Sequence, residues 1–459
     1  MRPRNQTARD RLTPVLARRA AVGAADIAGS LGVSIPTLHR MLPALGDSLV
    51  STGKARRTRY ALRRDLRGEL APLPLYEVDA TGRAEQVGAL DLVRPQGSCM
   101  PLNGADWPVP EESRDGWWDG LPYPLYDMRP QGYMGRQFAR AEHRQLGVSA
   151  NPQEWGDDDI AWVLSRSGSD ASGSLILGDR AFEHWQASKS APAEPLRTRA
   201  LGTTYARLAE HAIGAGVAGS SAGGEFPKFA AMRERAGSAT PHVLVKFSGA
   251  ERSAAVQRWS DLLVCEHLAL EAIAGLPGCV AARSRIVEHA GRTFLEVERF
   301  DRQGRFGRSR LASLSTLDAA LLGAGTSDWV VLAERFQAAG LLDTTAVERV
   351  RHLWWFGRLI ANADMHTGNL SFVPNEQLAL APAYDMLPML YAPLPGGELP
   401  TRRFEPALPL PPQRPVWLTA CGTALAFWDR AAADERISAA FRRTCAANAK
   451  RLRELAELV

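Results

Sequence analysis

The alternation of apolar and polar positions divides this chain into both helices and strands. Residues 253–275 and 349–361 carry apolar side chains at helical spacing, which predicts two core-facing helices. His242–Phe247 is a short apolar run typical of a buried strand. Residues 370–373 and 378–383 predict two strands joined by a Pro-Asn-Glu turn. This mixture predicts an α+β fold.

The N-terminal pattern predicts a winged helix-turn-helix. Residues 24–45 read as two helices around a tight turn at Gly32, with Ser34 as the N-cap of the second helix and Pro36 in its first turn. The side chains expected to pack between the helices are Ile27, Leu31, Val33, Leu38 and Leu42. Residues 49–62 then predict a β-hairpin.

Residues 69–200 are less informative. Residues 75–78 and 89–93 predict short strands, residues 136–145 a helix and residues 187–198 a linker. The aromatic and proline-rich stretch 116–124 suggests either a binding platform or, as we expect, the closure of a small β core.

The C-terminal part of the chain continues with a proline-rich stretch. Residues 392–415 hold eight prolines and predict a loop, and residues 416–459 predict closing helices.

Length and composition exclude several classes of protein. A chain of 459 residues with 45% hydrophobic residues suits two or three globular domains. Its five cysteines lack metal-ligand spacing, which favours a reducing cytoplasm. The N-terminus has no apolar signal segment, and no run of about eighteen apolar residues predicts a membrane span. We therefore expect a cytoplasmic protein without membrane contact.

Positive charge is concentrated at the N-terminus. Residues 1–68 hold fourteen Arg and Lys against four Asp, a net charge of +10, whereas the whole chain carries +5. A small basic module on a mildly acidic body indicates a polyanion partner for that module alone.

Duplex DNA is the partner that this module suits. Thr37, His39 and Arg40 would face a major groove from the second helix. The hairpin adds a basic wing with the tip Gly53–Arg57, and its cationic side chains are Lys54, Arg56, Arg57 and Arg59. A basic protein-interaction module with the same fold remains an alternative.

The motif with the clearest chemistry lies after the second core helix. Asp364 is followed five residues later by Asn369, and Asp385 follows the predicted hairpin. An acid that accepts a proton, together with an amide and an acid that hold Mg²⁺, is what transfer from a metal-bound triphosphate requires. The alternative for Asp364 and Asn369 alone is a polar loop with capping side chains.

A buried cation would complete such a site. Lysine is scarce in this chain, with five against fifty arginines, yet Lys246 lies in the predicted buried strand. Glu266 falls in the apolar stripe of the next helix, where a lone carboxylate is unfavourable. We predict a Lys246–Glu266 pair that directs the ammonium at phosphate oxygens; a solvated Glu266 at the edge of the stripe is the alternative.

A small-residue loop precedes the lysine-bearing strand. Residues 219–228 read Gly-Ser-Ser-Ala-Gly-Gly-Glu-Phe-Pro-Lys, and such loops let backbone N–H groups approach a phosphate. Ser220, Ser221, Gly223 and Gly224 are the candidate contacts, and either serine is a candidate phosphorylation site.

Taken together, these motifs resemble those of the HipA-type Ser/Thr protein kinases of bacterial toxin–antitoxin systems, in particular the branch with an extra N-terminal DNA-binding module. The matching segments are residues 221–228, Val243–Lys246, Glu266, Val297–Arg302, Asn362–Asn369 and Tyr384–Asp385. The resemblance covers about residues 70–459. It implies three domains: the winged helix-turn-helix over 1–68, a β-rich subdomain over 69–200 and a bilobal kinase core over 201–459.

The resemblance also implies roles for single residues. Asp364 would be the catalytic base, and Asn369 and Asp385 would bind Mg²⁺. Lys246, with Glu266 as its partner, would contact the phosphates of ATP. The remaining nucleotide contacts implied are the hinge residues Glu298, Arg299 and Phe300, the loop residues named above, and His366. Ser221 matches the self-inactivating phosphorylation site of some members, with Ser220 as the alternative.

Several functions remain open at this stage. The best prediction is a Ser/Thr kinase toxin that uses ATP and Mg²⁺ on a protein substrate, with duplex DNA and an antitoxin protein as further candidate partners. The alternatives are a small-molecule kinase of aminoglycoside-phosphotransferase type, a transcription regulator that senses ATP without turnover, and a Mg²⁺-dependent nuclease.

Overall fold

The computed structural model describes residues 3–102, 107–214 and 226–459. The described residues fall into two compact units. The first lies within Met1–Val78, Ala84–Arg129 and Trp155–Ala191, and the second within Asp79–Arg83, Pro130–Glu154 and Pro192–Val459. The three predicted segments are therefore distributed over two units, with residues 130–154 packing in the second.

The N-terminal part of the first unit is a helical cluster with a small sheet. Its elements are α1 (Pro3–Leu16), β1 (Val22–Gly23), α2 (Ala24–Leu31), α3 (Ile35–Met41), β2 (Leu49–Thr52) and β3 (Arg59–Leu62). The strands pair in the order β1-β3-β2. The predicted two helices and hairpin are present, whereas α1 was not predicted.

Local sequence accounts for the turn between α2 and α3. Gly32 ends α2 at φ 66°, a conformation that favours glycine. The Ser34 side chain accepts a hydrogen bond from the backbone N–H of Thr37, as predicted for an N-cap. Of the five residues predicted between the helices, Val33 is partly buried and the other four are buried.

The hairpin β2–β3 is joined to the rest of the first unit by backbone pairing. The N–H of Arg64 donates to Leu92 O at 2.7 Å, and the N–H of Arg94 donates to Leu62 O at 2.8 Å. Val50 and Ala61 of the hairpin lie in one buried cluster with Val93, Cys99 and Trp117. The N-terminal elements are therefore continuous with the sheet that follows, not attached by a free linker.

The chain continues through a β-rich region. Its elements are β4 (Leu73–Val78), β5 (Ala84–Leu92), β6 (Ser98–Cys99), β7 (Trp117–Trp118), α4 (Tyr123–Met128), α5 (Gly132–Leu146), α6 (Asp157–Ser167), β8 (Leu175–Leu177) and α7 (Asp179–Ser190). The strands form one sheet in the order β7-β6-β5-β4-β8. Helix α5 belongs to the second unit.

Two expectations for this region have definite outcomes. Trp117 and Tyr123 are buried, so the aromatic stretch closes a core and is not an exposed platform. The predicted linker 187–198 is wrong at its start, because α7 continues to Ser190. The helical hydrogen bonds extend into residues whose polar composition alone predicts a linker.

The second unit contains a sheet and a larger helical part. Its further elements are α8 (Leu201–Gly214), β9 (Lys228–Met232), β10 (His242–Phe247), α9 (Ala254–Ala272), β11 (Ser284–His289), β12 (Arg292–Glu298), β13 (Arg302–Gln303), β14 (Gly307–Arg308), β15 (Ala312–Ser313), α10 (Leu314–Leu321), α11 (Trp329–Ala338), α12 (Thr344–Leu359), β16 (Ser371–Val373), β17 (Ala379–Leu380), α13 (Arg414–Ala433) and α14 (Ala439–Ala456).

The antiparallel sheet β11-β12-β10-β9 packs against α8 and α9. Its core is aromatic: Tyr205, Phe229, Phe247 and Phe294 form a chain of ring contacts with centroids 5.5 to 6.3 Å apart. This rigid layer supports strand β10, in which Lys246 lies.

The helical part surrounds the hairpin β16–β17, whose first strand also pairs with β15. The predicted second strand, 378–383, is wrong in extent, because only Ala379 and Leu380 belong to β17. Ala383 instead bridges in parallel to Ala281, ahead of β11. The closing helices α13 and α14 are present, as predicted for 416–459.

All five cysteines are buried and unpaired, as the sequence suggested. Within the described ranges, no helix is long and apolar enough to cross a membrane.

Candidate active site

Lys246 is held between two carboxylates. Its Nζ donates to Glu266 Oε1 at 2.7 Å and to Oε2 at 2.8 Å. It also donates to Asp385 Oδ1, which joins the sheet to the loop after β17. Lys246 and Glu266 are both buried. The predicted Lys246–Glu266 pair is present, and the alternative of a solvated Glu266 is wrong.

The alternation of β10 explains this placement. Val243, Val245 and Phe247 point into the aromatic core, so Lys246 points to the opposite face of the sheet. Helix α9 packs along this sheet and supplies Glu266 from its buried stripe. A buried ammonium is tolerated there because its hydrogen bonds and charge are satisfied.

The charges in this site shift one another. Burial would lower the pKa of Lys246, but Asp385 and Glu266 together raise it above its ordinary value. Burial raises the pKa of Glu266 to about 7, against the opposing effect of Lys246. Burial alone would raise the pKa of Asp385, but Lys246 and Lys228 lower it to about 2. At neutral pH the site therefore holds an ammonium beside an ionised Asp385.

Asn362 ties the two acid-bearing loops together. Its Oδ1 accepts from the backbone N–H of Asp364 at 3.0 Å, and its Nδ2 donates to the backbone carbonyl of Asp385 at 3.2 Å. Asn369 Nδ2 donates to the backbone carbonyl of Asp364 at 2.8 Å. The buried amide of Asn362 thus fixes the backbone at both acids, and the amide of Asn369 closes the loop between residues 364 and 369.

Backbone conformation in these loops is unusual. Ala361 has φ 60° and Asp385 has φ 53°, in the left-handed region that non-glycine residues seldom occupy. Ala361 directly precedes Asn362, and Asp385 is itself a candidate site residue. The surrounding hydrogen bonds hold the acids in a geometry that an isolated chain would not favour.

Neighbouring residues also support the loop that carries Asp364. A Cβ at Gly357 of α12 would lie 2.5 Å from Met365 Sδ, so glycine lets the loop pack against the helix. His366 Nδ1 accepts from the N–H of Gly368 at 3.1 Å, and its carbonyl accepts from Trp329 Nε1 at 3.2 Å. His366 therefore shapes the loop, and its exposed ring borders the space beside Asp364.

Tyr384 connects the hairpin to the same loop. Its hydroxyl donates to Gly368 O at 2.8 Å and lies 2.7 Å from Ser371 Oγ. Its ring lies 5.6 Å from that of Phe300, by centroids. The contacts of Tyr384 thus hold the segment that carries Asp385, and they place Phe300 near the loop of Asp364.

The predicted hinge residues are engaged differently from one another. The buried Glu298 side chain accepts from Arg233 at 2.8 Å and from Ser238 at 2.6 Å. The Arg299 guanidinium pairs with Asp301 at 3.0 Å. These two side chains are engaged in internal pairs, whereas Phe300 is half-buried and its ring lies against Tyr384, the residue before Asp385.

Two residues of this region were not predicted as site members. Lys228 of β9 pairs directly with Lys246 across the strands and helps to lower the pKa of Asp385. The scarcity of lysine is the signal that could have identified it. Asn362 was part of the matching motif, and its bond to Asp364 spans only two residues, but its bond to Asp385 is reached only through the fold.

Mg²⁺ fits the two predicted ligands. The amide of Asn369 donates through Nδ2, which leaves its Oδ1 as an oxygen ligand, and Asp385 is ionised. Mg²⁺ prefers such oxygens and usually completes its shell with phosphates and water. Within the described residues there is no group of three His, Cys, Asp or Glu side chains that could hold a metal.

Comparison with known proteins decides the family. A model of the YjjJ-like toxin middle domain matches residues 69–186, and a model of the HipA-like C-terminal domain matches residues 220–452. The toxin YjjJ of Escherichia coli K12 is 37% identical over 438 residues, covering 95% of this chain and 96% of that protein. The chain belongs to the YjjJ-like toxin family. The family resemblance drawn from the motifs is thereby confirmed.

A solved relative shows the fold of this YjjJ-like chain. The HipA toxin of Shewanella oneidensis MR-1, solved with HipB and its operator DNA, matches with a TM-score of 0.51 at 16% identity. The match covers 84% of this chain and 99% of the HipA chain. The mixed α+β, HipA-like fold predicted from the sequence is confirmed at that level.

The DNA-binding candidates of the YjjJ-like chain lie on the first unit. His39, Lys54, Arg56, Arg57 and Arg59 are exposed. In contrast, Thr37 is half-buried, and its hydroxyl contacts Ser34 Oγ at 2.9 Å and accepts from Arg40 at 3.3 Å. Arg40 is thus folded along its own helix in the free protein.

The hairpin tip has a defined conformation. Ala55–Arg57 form a single 3₁₀ turn, and a Cβ at Gly53 would lie 2.5 Å from the carbonyl oxygen of Arg57. The turn therefore requires glycine at 53 and displays three cations, Lys54, Arg56 and Arg57, at its surface.

The glycine-rich loop candidates Ser220, Ser221, Gly223 and Gly224 lie outside the described residues.

Replacing Asp385 with asparagine should make the free energy of unfolding less dependent on pH below about pH 5. The pKa of Asp385 is lowered from 3.8 to about 2, so its contribution is complete above pH 4 and is lost as the pH falls toward 2. That contribution is about 2 kcal/mol. Urea unfolding followed by tryptophan fluorescence at pH 5 and pH 3 measures it.

Wild type should lose about 1 kcal/mol more than Asp385→Asn between these two pH values. The control is Glu376→Gln, an exposed carboxylate in the β16–β17 turn, which should behave like wild type. Equal losses in wild type and Asp385→Asn would contradict the assignment of a depressed pKa.

Proposed function

We propose that this chain is a Ser/Thr protein kinase toxin that transfers the γ-phosphoryl group of ATP to a protein hydroxyl. The observation that carries the proposal is the clamp on Lys246, whose ammonium is held by Glu266 and by Asp385 at once. A buried lysine held in this way is a fixed positive charge, which suits a phosphate-binding role. The membership of a HipA-like family supports the same reaction.

ATP places its phosphates against the two strand lysines. Lys246 and Lys228 are paired across β10 and β9, so their charges converge on Asp385. Phe300, whose ring approaches that of Tyr384, provides an apolar surface for the adenine at the hinge. Backbone N–H groups of the segment 219–228 would add further phosphate contacts.

Asp364 is the proton acceptor in this mechanism. The acceptor hydroxyl oxygen attacks the γ-phosphorus while the bond to the bridging oxygen breaks, and its proton passes to the Asp364 carboxylate. ADP leaves with the electron pair of the broken bond. Asn362 and Asn369 hold the backbone of Asp364 so that its carboxylate stays at the entrance of the site.

Asn369 and Asp385 are the residues that would hold Mg²⁺. When bound, the ion would neutralise charge on the phosphates. The protein prepares for this by keeping Asp385 ionised and by orienting Asn369 through its bond to the Asp364 carbonyl.

The N-terminal elements form a winged helix-turn-helix that binds duplex DNA. The order of elements, the net charge of +10 over residues 1–68 and the exposed cations of the hairpin tip support this role. The HipA relative solved with HipB and operator DNA motivates an antitoxin protein as a further partner of this chain.

Asp364→Ala should abolish phosphoryl transfer and leave ATP binding within about threefold of wild type. A general base contributes roughly 10²–10⁴ in rate, whereas Lys246, Lys228 and Phe300 are the described residues that this mechanism assigns to ATP. Transfer from γ-labelled ATP to a mixed protein acceptor and ATP binding by calorimetry are the two measurements.

Two variants bracket this result. Asp385→Ala should weaken Mg²⁺-dependent ATP binding as well as transfer, and Glu376→Ala in the β16–β17 turn should change neither. Transfer by Asp364→Ala within about tenfold of wild type would remove Asp364 as the base. ATP binding without any turnover by wild type would favour a regulator that senses ATP.

Prolonged incubation with ATP and Mg²⁺ should place phosphate on Ser220 or Ser221. About two negative charges would then enter a loop assigned to the ATP phosphates, so the affinity for ATP should fall. Phosphopeptide mass spectrometry identifies the residue, and calorimetry on the modified protein gives the affinity. The double variant Ser220→Ala with Ser221→Ala should retain full ATP affinity after the same treatment; loss of affinity in that variant would contradict loop control.

The full chain should bind duplex DNA with an affinity that falls steeply with salt. Arg56→Ala with Arg57→Ala should weaken binding to all sequences alike, and Arg40→Ala should alter sequence preference. Fluorescence anisotropy with a set of duplexes at two salt concentrations separates these effects.

A matched control removes two exposed cations outside residues 1–68, through Arg402→Ala with Lys450→Ala. It should bind DNA like wild type. If this control loses as much affinity as the hairpin variant, the interaction is a general charge effect and not a role of the N-terminal elements.

A further inference from the structure

A cleft of about 540 Å³ opens beside Asp364 in the second unit. The segment 361–366, the end of α12 and residues 403–407 line it, whereas Lys246, Glu266 and Asp385 do not. Its size lies in the range of ligand-binding sites. The occupant of this cleft therefore meets Asp364 without displacing the lysine clamp.

Arg358 forms one wall and is held in place by stacking. Its guanidinium carbon lies 5.6 Å from the ring centroid of Trp354 and 5.9 Å from that of Trp355. Such cation–π contacts restrict a long side chain without neutralising its charge. Arg358 is exposed and, within the part of the chain that the structure describes, makes no ion pair.

Arg403 lines the same cleft from a different segment of the chain. The segment that carries it is anchored on both sides: Phe404 is buried against Trp428, with ring centroids 5.7 Å apart, and the carbonyl of Ala407 accepts from Trp417 Nε1 at 3.1 Å. Arg403 is exposed and also lacks an ion pair among the described residues. The proline-rich stretch is thus an ordered wall at this point.

The charges of the cleft indicate what it binds. Its carboxylates are Asp364, which faces the reacting hydroxyl in the proposed mechanism, and Glu405. Two unpaired guanidinium groups therefore stand against one remaining acid. We propose that this cleft, on the basis of the proposed kinase function, binds the acceptor segment of the protein substrate and selects Asp or Glu beside the phosphorylated Ser or Thr.

Peptide binding tests the proposal without requiring catalysis. A short fluorescein-labelled peptide with one serine flanked by glutamates is compared with the same peptide carrying glutamines, on the full chain, by anisotropy. Wild type should bind the acidic peptide about tenfold more tightly, and Arg358→Gln with Arg403→Gln should abolish the difference. Arg402→Gln, an exposed neighbour outside the cleft, should retain it, and Glu405→Gln should increase it.

A charge-reversal variant distinguishes a change in peptide selection from a loss of folded structure. Arg358→Glu should reject the glutamate peptide and gain affinity for the matching lysine peptide, which an unfolded variant cannot do. Equal affinity of wild type for the glutamate and glutamine peptides, or an unchanged difference in the double variant, would overturn the proposal.

Phosphoryl transfer to the same peptides separates this inference from the kinase assignment. Transfer that favours the glutamate peptide supports both. Transfer without preference, or with preference for the glutamine or lysine peptide, keeps the kinase and overturns the acidic selection. Selective binding without transfer either to these peptides or to the mixed protein acceptor keeps the cleft as an acidic-segment site and removes the kinase function.

Discussion

The buried ammonium of Lys246 is the constraint on which the second unit depends. It lies in the central part of a sheet whose other face is a packed aromatic core, and its side chain is only 7% exposed. Only the paired carboxylates of Glu266 and Asp385 make that position tolerable, and removal of one partner of a buried pair typically costs about 3–5 kcal/mol. One cation therefore fixes the distance between the sheet, helix α9 and the loop at 385.

An asparagine side chain further constrains the loops that carry Asp364 and Asp385. Asn362 bonds to the backbone at both Asp364 and Asp385, so the two acids cannot be repositioned independently. The left-handed conformations at Ala361 and Asp385 persist because these bonds over-determine them. Lysine clamp and amide bridge share Asp385, which makes this residue the junction of the sheet side and the helical side of the site.

The sequence determined most of the elements by itself. Periodicity and capping residues gave α2, α3, the hairpin β2–β3, strand β10 and helix α9, because each depends on local spacing that survives in one dimension. The Lys246–Glu266 pair was predictable for the same reason: a lysine in an apolar strand and an acid in an apolar stripe each need a partner. Family motifs supplied the remaining order of parts and are supported by the match to the YjjJ-like and HipA-like domains.

Only the tertiary structure decided how these elements complete the site. The contact of Lys246 with Asp385 joins residues far apart in sequence, and neither residue alone carries a signal for it. Strand β17 is short because Ala383 finds its partner at Ala281, which periodicity cannot report. The Glu298 side chain accepts from Arg233, a contact across 65 residues that no local pattern reports. The cleft between Arg358 and Arg403 exists only where a helix and a distant proline-rich segment meet. Local chemistry fixes what each residue needs, and the packing of distant segments selects which residue provides it.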